Sequence, residues 1–486
     1  MRRGLPAAAV AVMLAGCSAM GPTELPKVAT PAAYKEASAP WVSATPSAPP
    51  AWDHWWEACG DAELDRLQQQ LVANSPDLAA ALARYNEARA VTQTLRASER
   101  PTVNGSLNAQ RDRQSELKPL RVLGPTSPNL YNSATVGVDA EYEVDLWGRV
   151  SATVAAGKAA EQASAADLAG ARLALQAQLA DDWLALRGLD QQAQLLHDTE
   201  AAYAKALDLV SRRHQAGIAS GLDLARAQAQ LDEARSQQRQ LQGQRALVEH
   251  AIAALVGATP SEFSIAPRTA ETALPAVPLG LPSTLLQRRP DIAAAEQRVI
   301  AANASVGVAH AAWFPAVTLS AMGGYQSSQF GRFIEAPNLW WAIGPNLVGT
   351  LFDGGRRHAE EDRTRAALDE ASQHYRSAVL GAFQQVEDQL ALLDHNGEAL
   401  KSEQQVAASA ESQVQMSGRL YEAGAISYLE VVTAQTNWLQ ARRSVLDLGT
   451  RQRRAWVALV RALGGGWDGL DQQAAQAAST LKPAGS

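Results

Sequence analysis

The chain has 486 residues, 47% of them hydrophobic and 19% charged, and its 43 basic and 50 acidic residues give a formal net charge of −7. An acidic balance of this kind excludes a basic nucleic-acid-binding surface, so we expect no nucleic-acid partner. Two cysteines are too few for a disulfide framework, and no Cys/His cluster has metal-ligand spacing, so the sequence predicts no metal and no other cofactor. After the first segment no run of 18 uncharged apolar residues occurs, which argues against a polytopic helical membrane protein.

The first twenty residues are typical of an export signal. Arg2 and Arg3 precede a short apolar run, and two small residues stand directly before Cys17. The run is too short to span a bilayer, so we expect residues 1–16 to be a signal peptide that is cleaved off. The proline-rich residues 17–60 should then form an extended N-terminal arm without a core of its own.

Cys17 resembles the modified cysteine of the bacterial lipobox. The resemblance implies a diacylglycerol on its thiol and an N-acyl chain on its amine, which together would hold the protein in lipid. Ser18 follows in place of Asp, which in lipoproteins implies sorting to the outer membrane. The alternative is an ordinary signal followed by a chance cysteine.

The sequence contains an internal repeat. Residues 75–81 match residues 289–295 at an offset of 214, and Ala216-Gly217 matches Ala423-Gly424 at an offset of 207. A tandem duplication explains these ordered matches. We predict repeat 1 over 61–260 and repeat 2 over 289–467, joined by a linker at 261–288 and followed by a tail at 468–486. Each repeat has the order helix, strand pair, long helix, glycine turn, long helix.

Two windows without proline, 129–259 and 346–482, indicate long uninterrupted helices. Apolar and small residues in both windows recur at alternating steps of three and four, which is a coiled-coil seam. The predicted long helices span about 150–215, 222–256, 356–422 and 427–463. The first would be ~100 Å long if wholly helical, a length that suits a coiled-coil rod or tube.

Between the helical blocks the apolar period changes to two, which predicts strands over about 102–111, 132–146, 316–326 and 339–352. Strands of about ten residues with one apolar and one polar face are typical of a transmembrane barrel. The pattern alone leaves open a two-faced sheet in water. Acidic residues at 139, 141, 143 and 145 share one face, which favours a wet lumen over a packed core.

Four strands cannot close a barrel, because the smallest single-chain examples need about eight. Open edges in lipid would leave unpaired backbone groups that cost several kcal/mol each, so several chains must contribute strands to one barrel. Aromatic residues near the strand ends suit the two membrane interfaces. They are Trp147, Trp313, Phe314, Trp340 and Trp341.

Several local strings resemble those of the TolC family, more closely the NodT/OprM-like outer-membrane lipoproteins of resistance–nodulation–division (RND) efflux systems. The strongest is residues 280–292, and the others lie at 74–78, 145–149, 313–315, 351–356, 427–431 and 462–467. The resemblance covers the chain from Cys17 to about Trp467. It implies a mainly α fold with transmembrane β structure: a homotrimeric twelve-stranded β-barrel, four strands per chain, continued by a long periplasmic α-helical barrel.

The same resemblance implies a passive exit duct for drugs or other small molecules in a Gram-negative outer membrane. Its partners would be a periplasmic adaptor (membrane fusion protein), an inner-membrane RND transporter and outer-membrane lipid. One alternative is the duct of an ATP-driven type I secretion system, and another is a periplasmic coiled-coil lipoprotein without a pore. No nucleophile–base, metal or phosphate motif is present, so we do not expect an enzyme.

In this family the two glycine turns form the periplasmic tip that meets the adaptor. Residues carried over to this role are Arg213, Gly217, Ile218, Ser220, Gly424, Ser427 and Tyr428. Leu420 stands where the second turn should have an arginine, which weakens the case for two equivalent contacts. Some members close the pore with an acidic ring after the second glycine. Ala425 and Ile426 stand there instead, so the sequence predicts an apolar constriction.

Overall fold

The structure, a computed structural model, describes residues 25–31, 33–36, 52–115, 129–269 and 288–467. The predicted signal peptide, Cys17, residues 270–287 of the predicted linker and the predicted tail lie outside the described residues. The chain forms two compact units. We call them the sheet unit (described residues within 1–26, 85–164 and 295–375) and the helical unit (described residues within 27–84, 165–294 and 376–467).

The helices occur in matched pairs, one from each repeat. Counterparts have equal lengths of 22, 67 and 35 residues, as expected of a duplicated unit. The first described helix is a 3₁₀ helix, Trp52–Cys59, inside the arm that the sequence predicted to be extended; its Trp55 and Trp56 are buried, so this end of the arm is part of the core. After α1 (Ala62–Asn74), the pairs are α2 (Pro76–Ala97) with α5 (Pro290–Ala311), α3 (Arg149–Gln215) with α6 (Arg356–Glu422), and α4 (Gly221–Leu255) with α7 (Tyr428–Ala462). Pro76 and Pro290 each occupy the first helical position, where a missing N–H costs no intrahelical hydrogen bond.

Four strands form one antiparallel sheet in the order β1-β2-β3-β4, so that β2 of the first repeat pairs with β3 of the second. They span β1 (Thr102–Arg113), β2 (Leu130–Glu143), β3 (Ala316–Ser327) and β4 (Leu339–Val348). The register is constant along all three ladders, without a bulge. The mainly helical fold with a four-stranded sheet from two tandem repeats confirms the predicted fold class.

The fourth strand ends at Val348, before the predicted end near residue 352. Val348 pairs with Ala316, the first residue of β3. Pro315 precedes it and has no N–H to continue the ladder. Leu351 and Phe352, which the sequence placed in the strand, are almost fully exposed.

The core of the helical unit contains a buried network of charges. The Asp190 carboxylate accepts hydrogen bonds from Arg187 (2.8 Å), Arg245 (2.7 Å) and the backbone N–H of Arg268 (3.0 Å). Arg245 also donates to the carbonyl oxygen of Ile265 at 2.6 Å. The network therefore attaches residues 265–268, which follow α4, to the two long helices of the first repeat. In the described part of the chain, no helix combines the length and the apolarity needed to cross a membrane.

Candidate functional site

The sheet has one apolar and one polar face, because side chains alternate along each strand and the register never slips. Large apolar side chains on one face are between 45% and 79% exposed. They are Val103, Leu107, Val138, Leu319, Leu339, Trp341, Ile343 and Leu347. An exposed apolar surface spread over four strands is unusual in a soluble monomer and marks an interaction with lipid or protein.

The opposite face is mainly polar, although Met322, Trp340 and Val348 also lie on it by register. On it Asn104 donates to the Asp139 carboxylate at 3.0 Å, and Ser320 donates to the carbonyl of Gly344 at 3.4 Å. Glu141 also lies on this face, since it pairs with Ser320 in the register. The two faces therefore suit two different media, as the sequence pattern predicted. Among the described residues β1 and β4 pair on one side only, so the sheet has two open edges.

The five predicted interface aromatics lie in two groups at opposite ends of the sheet. Trp340 and Trp341 follow Leu339 at the start of β4 on opposite faces. Trp341 is on the apolar face and 72% exposed, whereas Trp340 is on the mainly polar face beside Gly137. At the other end, Trp147 stacks on Phe314 with ring centroids 4.8 Å apart and donates to the carbonyl of Pro315 at 2.8 Å. This second group therefore connects the segment after β2 to the segment before β3.

Trp313 has a different environment. Its indole N–H donates to the Glu361 carboxylate at 2.9 Å, and the Arg357 guanidinium lies 4.8 Å from its ring centroid. Arg365 also donates to Glu361, at 2.6 Å. Trp313 thus attaches the start of α6 to the segment before β3, a contact that the sequence analysis did not foresee.

The first glycine turn joins α3 to α4. Gly217 has a φ of 72°, and the N–H of Ile218 donates to the carbonyl of Arg213 at 2.8 Å. This is the hydrogen bond of a Schellman motif, which requires a left-handed residue after the helix. Ser220 then caps α4 through a reciprocal capping box with Asp223. Ile218 projects from the turn and is 75% exposed.

The second turn has the same backbone but different side-chain contacts. Gly424 has a φ of 75°, and the N–H of Ala425 donates to the carbonyl of Leu420 at 2.9 Å. Ser427 occupies the N-cap position without a side-chain capping bond. Ala425 is exposed, whereas Ile426 is half-buried.

An apolar cluster lies beneath both turns. Its buried members are Val210, Ala227, Tyr428 and Val431, and Ile426 packs against it. Ile426 thus contacts its own protomer, and the predicted constriction at Ala425 and Ile426 stays a prediction.

Arg213 joins the two turns. Its guanidinium donates to the carbonyl oxygens of Tyr421 and Glu422, each at 2.9 Å, and lies 4.7 Å from the centre of the Tyr421 ring. These carbonyls belong to the last turn of α6, where backbone acceptors lack helical partners and the helix dipole favours a cation. The arginine of the first copy therefore caps the end of α6 in the second copy, where Leu420 stands at the equivalent position. The unequal residues at 213 and 420 were the only sequence signal of this arrangement.

The described residues hold neither a cluster of metal ligands nor a reactive cysteine. They contain no group of three or more His, Cys, Asp or Glu side chains that could hold a metal ion. Burial, followed by the charges of Asp61 and Asp65, raises the pKa of the Cys59 thiol to about 12. Since the thiolate is the nucleophile, Cys59 is an unreactive packing residue near neutral pH.

Comparisons with known proteins agree with this geometry. A family model described as outer membrane efflux protein matches residues 67–258 and 281–465. Pyoverdine export outer membrane protein OpmQ of Pseudomonas aeruginosa is 35% identical over 416 residues, which covers 85% of this chain and 87% of OpmQ. Toluene efflux pump outer membrane protein TtgF of Pseudomonas putida is 30% identical over 480 residues, with 96% and 97% coverage.

Solved structures show the same fold. The outer-membrane channel OprN matches with a TM-score of 0.82 at 29% identity, over 92% of this chain and all of that chain. The Campylobacter jejuni CmeC outer membrane channel has a TM-score of 0.89 over 96% of this chain and 98% of that one. At 22% identity the CmeC match indicates the fold alone.

Proposed function

This chain belongs to the family of outer membrane efflux proteins, and from that premise we propose that it is the outer-membrane channel of a tripartite RND-type efflux pump. The family assignment confirms the TolC-family resemblance predicted from the sequence motifs. In the proposed pump the protein is a passive duct and not an enzyme. A periplasmic adaptor connects it to an inner-membrane RND transporter that supplies the energy.

The observation that carries the proposal is the sheet with one exposed apolar face, one polar face and two open edges. In lipid, unpaired edge N–H and C=O groups cost several kcal/mol each, so the edges must pair with other strands. Pairing β1 of one copy with β4 of the next satisfies both edges. Three copies give twelve strands, enough to enclose a polar lumen.

We place the apolar face against the hydrocarbon of a Gram-negative outer membrane, with the two aromatic groups near its two interfaces. Cys17 adds a covalent lipid anchor, and the long helices extend into the periplasm. The carboxylates of Asp139 and Glu141 would then face the lumen and favour cations over anions in transit.

The two glycine turns are the proposed adaptor contact. Ile218 is the exposed apolar side chain of the first turn. Ala425 occupies its equivalent position in the second. A small or apolar residue that projects from a capped turn can pack into a partner helix without disturbing the turn itself.

The test of function is a native-mass measurement on tagged protein extracted from its own membranes in mild detergent, with identification of co-purified proteins. We expect a trimer with an adaptor and an RND transporter. A trimer with an ATP-driven transporter would instead support type I secretion. A water-soluble monomer would contradict the barrel and leave a periplasmic coiled-coil lipoprotein.

The tip contact has its own test. Ile218→Glu should reduce adaptor co-purification about tenfold or more while the trimer stays intact, because a charge would enter an apolar contact. The matched control is Leu247→Glu, since Leu247 is a similarly exposed apolar side chain on α4 that lies far from the turn. Equal adaptor recovery from both variants would contradict docking at the first turn.

A further inference from the structure

A short part of the N-terminal arm binds a side chain of α6. The backbone N–H of Lys35 donates to Oε1 of Glu387 at 2.8 Å, and the N–H of Glu36 donates to Oε2 at 3.0 Å. Both oxygens of one carboxylate thus accept from two successive peptide groups. Hydrogen bonds to an ionised acceptor are about twice as strong as neutral ones. All three residues belong to the helical unit.

The preceding residue, Tyr34, packs within the helical unit. Tyr34 is only 7% exposed, and its buried hydroxyl has no hydrogen-bond partner in the described structure. Burial and then the negative charge of Glu387 raise the pKa of this phenol. The ring, rather than the hydroxyl, therefore stabilises the bound segment. The Lys35 side chain, in contrast, extends into solvent.

We propose that Glu387, together with the buried position occupied by Tyr34, is an intramolecular docking site for the N-terminal arm. The arm is also held at Trp55, which is buried and lies 6.0 Å from the Trp456 ring, so Glu387 and Tyr34 fix the part of the arm nearer to Cys17. The carboxylate binds peptide N–H groups, and the aromatic ring fixes which residues of the arm are bound. The occupant is residues 33–36 of this chain.

Docking limits the reach of the lipid anchor. Cys17 and Tyr34 are 17 positions apart, and a fully extended chain of that length spans at most about 60 Å. The acyl chains on Cys17 must then enter the membrane within that distance of the docking site. This consequence rests on the proposed function, whereas the docking itself does not.

Limited trypsin digestion of the purified full-length protein in detergent tests the docking. Lys35 presents an exposed side chain to trypsin, but its scissile bond donates the Glu36 N–H to Glu387, so docking should protect it. The Lys27–Val28 bond lies outside the docked segment and serves as the internal standard. Cleavage at each bond is followed by intact mass.

Glu387→Gln replaces one accepting oxygen with an NH₂ group that faces an N–H donor. We expect cleavage after Lys35 to rise about tenfold relative to cleavage after Lys27, because proteolysis follows the open population. Tyr34→Ala should act in the same direction, and Tyr34→Phe should leave the ratio unchanged.

Asp388→Asn is the matched control, since Asp388 is exposed on the same helix and accepts only a long bond from Gln384, at 3.4 Å, among the contacts described for it. The proposal of docking at Glu387 is wrong if Glu387→Gln and Tyr34→Ala both leave the cleavage ratio within twofold of the original protein, or if Asp388→Asn raises the ratio equally.

If Glu387→Gln exposes bonds throughout the helices, Glu387→Asp replaces it, because the shorter carboxylate cannot reach both N–H groups. Trypsin digestion reports on docking whether or not the protein exports anything. A failure of the docking proposal can therefore be distinguished from a failure of the proposed function.

Discussion

The two glycine turns are copies of one ancestral turn, and they are now held together in different ways. Both keep a left-handed glycine and the same helix-terminating hydrogen bond. The first adds a capping box and supplies Arg213, whereas the second has no side-chain cap at Ser427 and receives the arginine at its carbonyls. The two copies therefore share the backbone of the turn and differ in the side-chain contacts that hold it.

The largest expected effect on stability is at two glycines whose backbone conformation the two repeats share. Gly257 and Gly464 follow α4 and α7 at equivalent positions, each with positive φ, and a Cβ would overlap the carbonyl oxygen of Asn74 or Arg288. We expect Gly257→Ala and Gly464→Ala each to lower the free energy of unfolding by more than about 3 kcal/mol. Thermal unfolding and trimer yield measure this. Gly217→Ala, where a Cβ meets open space and only the left-handed backbone opposes it, should cost about 1–2 kcal/mol.

Arg213 should show the asymmetry between the turns. Arg213→Ala removes two hydrogen bonds to helix-terminal carbonyls and a cation–π contact, so we expect a loss of about 2 kcal/mol. Leu420→Ala, at the equivalent position of the second copy, should change stability by less than about 1 kcal/mol because the Leu420 side chain is 42% exposed. Unfolding of both variants in one detergent provides the comparison. Equal losses in the two variants would contradict the asymmetry between these two positions.

The two N-cap serines should differ by a smaller amount in what they contribute to stability. Ser220→Ala removes a capping box and should cost about 1 kcal/mol. Ser427→Ala removes no side-chain capping bond and should be close to neutral. Hydrogen exchange of the first turn of α4 and of α7 measures each cap locally. An equal rise in exchange at both helices would refute the distinction.

A pH effect should arise at Tyr428 of the second copy, which has no titratable counterpart at the equivalent position of the first. Burial, followed by the charges of Tyr421, Tyr203 and Asp223, raises the pKa of Tyr428 to about 12, against about 10 in an unfolded chain. The folded state thus holds the phenolic proton more tightly than the unfolded chain does. The stabilisation that the protonated Tyr428 gives to the fold is complete below pH 10 and is lost as pH rises towards 12.

Tyr428→Phe should reduce the fall in unfolding temperature between about pH 10 and 12 and leave neutral stability nearly unchanged. The equivalent residue of the first copy is Gly221, which cannot titrate. An unchanged alkaline slope in Tyr428→Phe would contradict the assignment.

Local periodicity was sufficient to predict much of the molecule. Helices, strands and glycine turns follow from patterns within a few residues, and strand alternation predicted the apolar and polar faces. Side-chain contacts between distant positions could not be predicted, because no local pattern encodes them. Arg213 reaches residues 208 and 209 positions away, and Glu387 binds backbone 351 and 352 positions away.

The absence of a bulge in the described sheet restricts how this protein can vary in evolution. A single-residue insertion inside a strand would move every side chain beyond it to the opposite face and bring carboxylates to the apolar side. An insertion inside a strand therefore keeps both faces only if it adds two residues or is absorbed by a new bulge. Odd-numbered insertions and deletions should accumulate in the connections between strands, at 114–129 and 328–338, which makes those segments the natural places for epitope tags and for differences between strains.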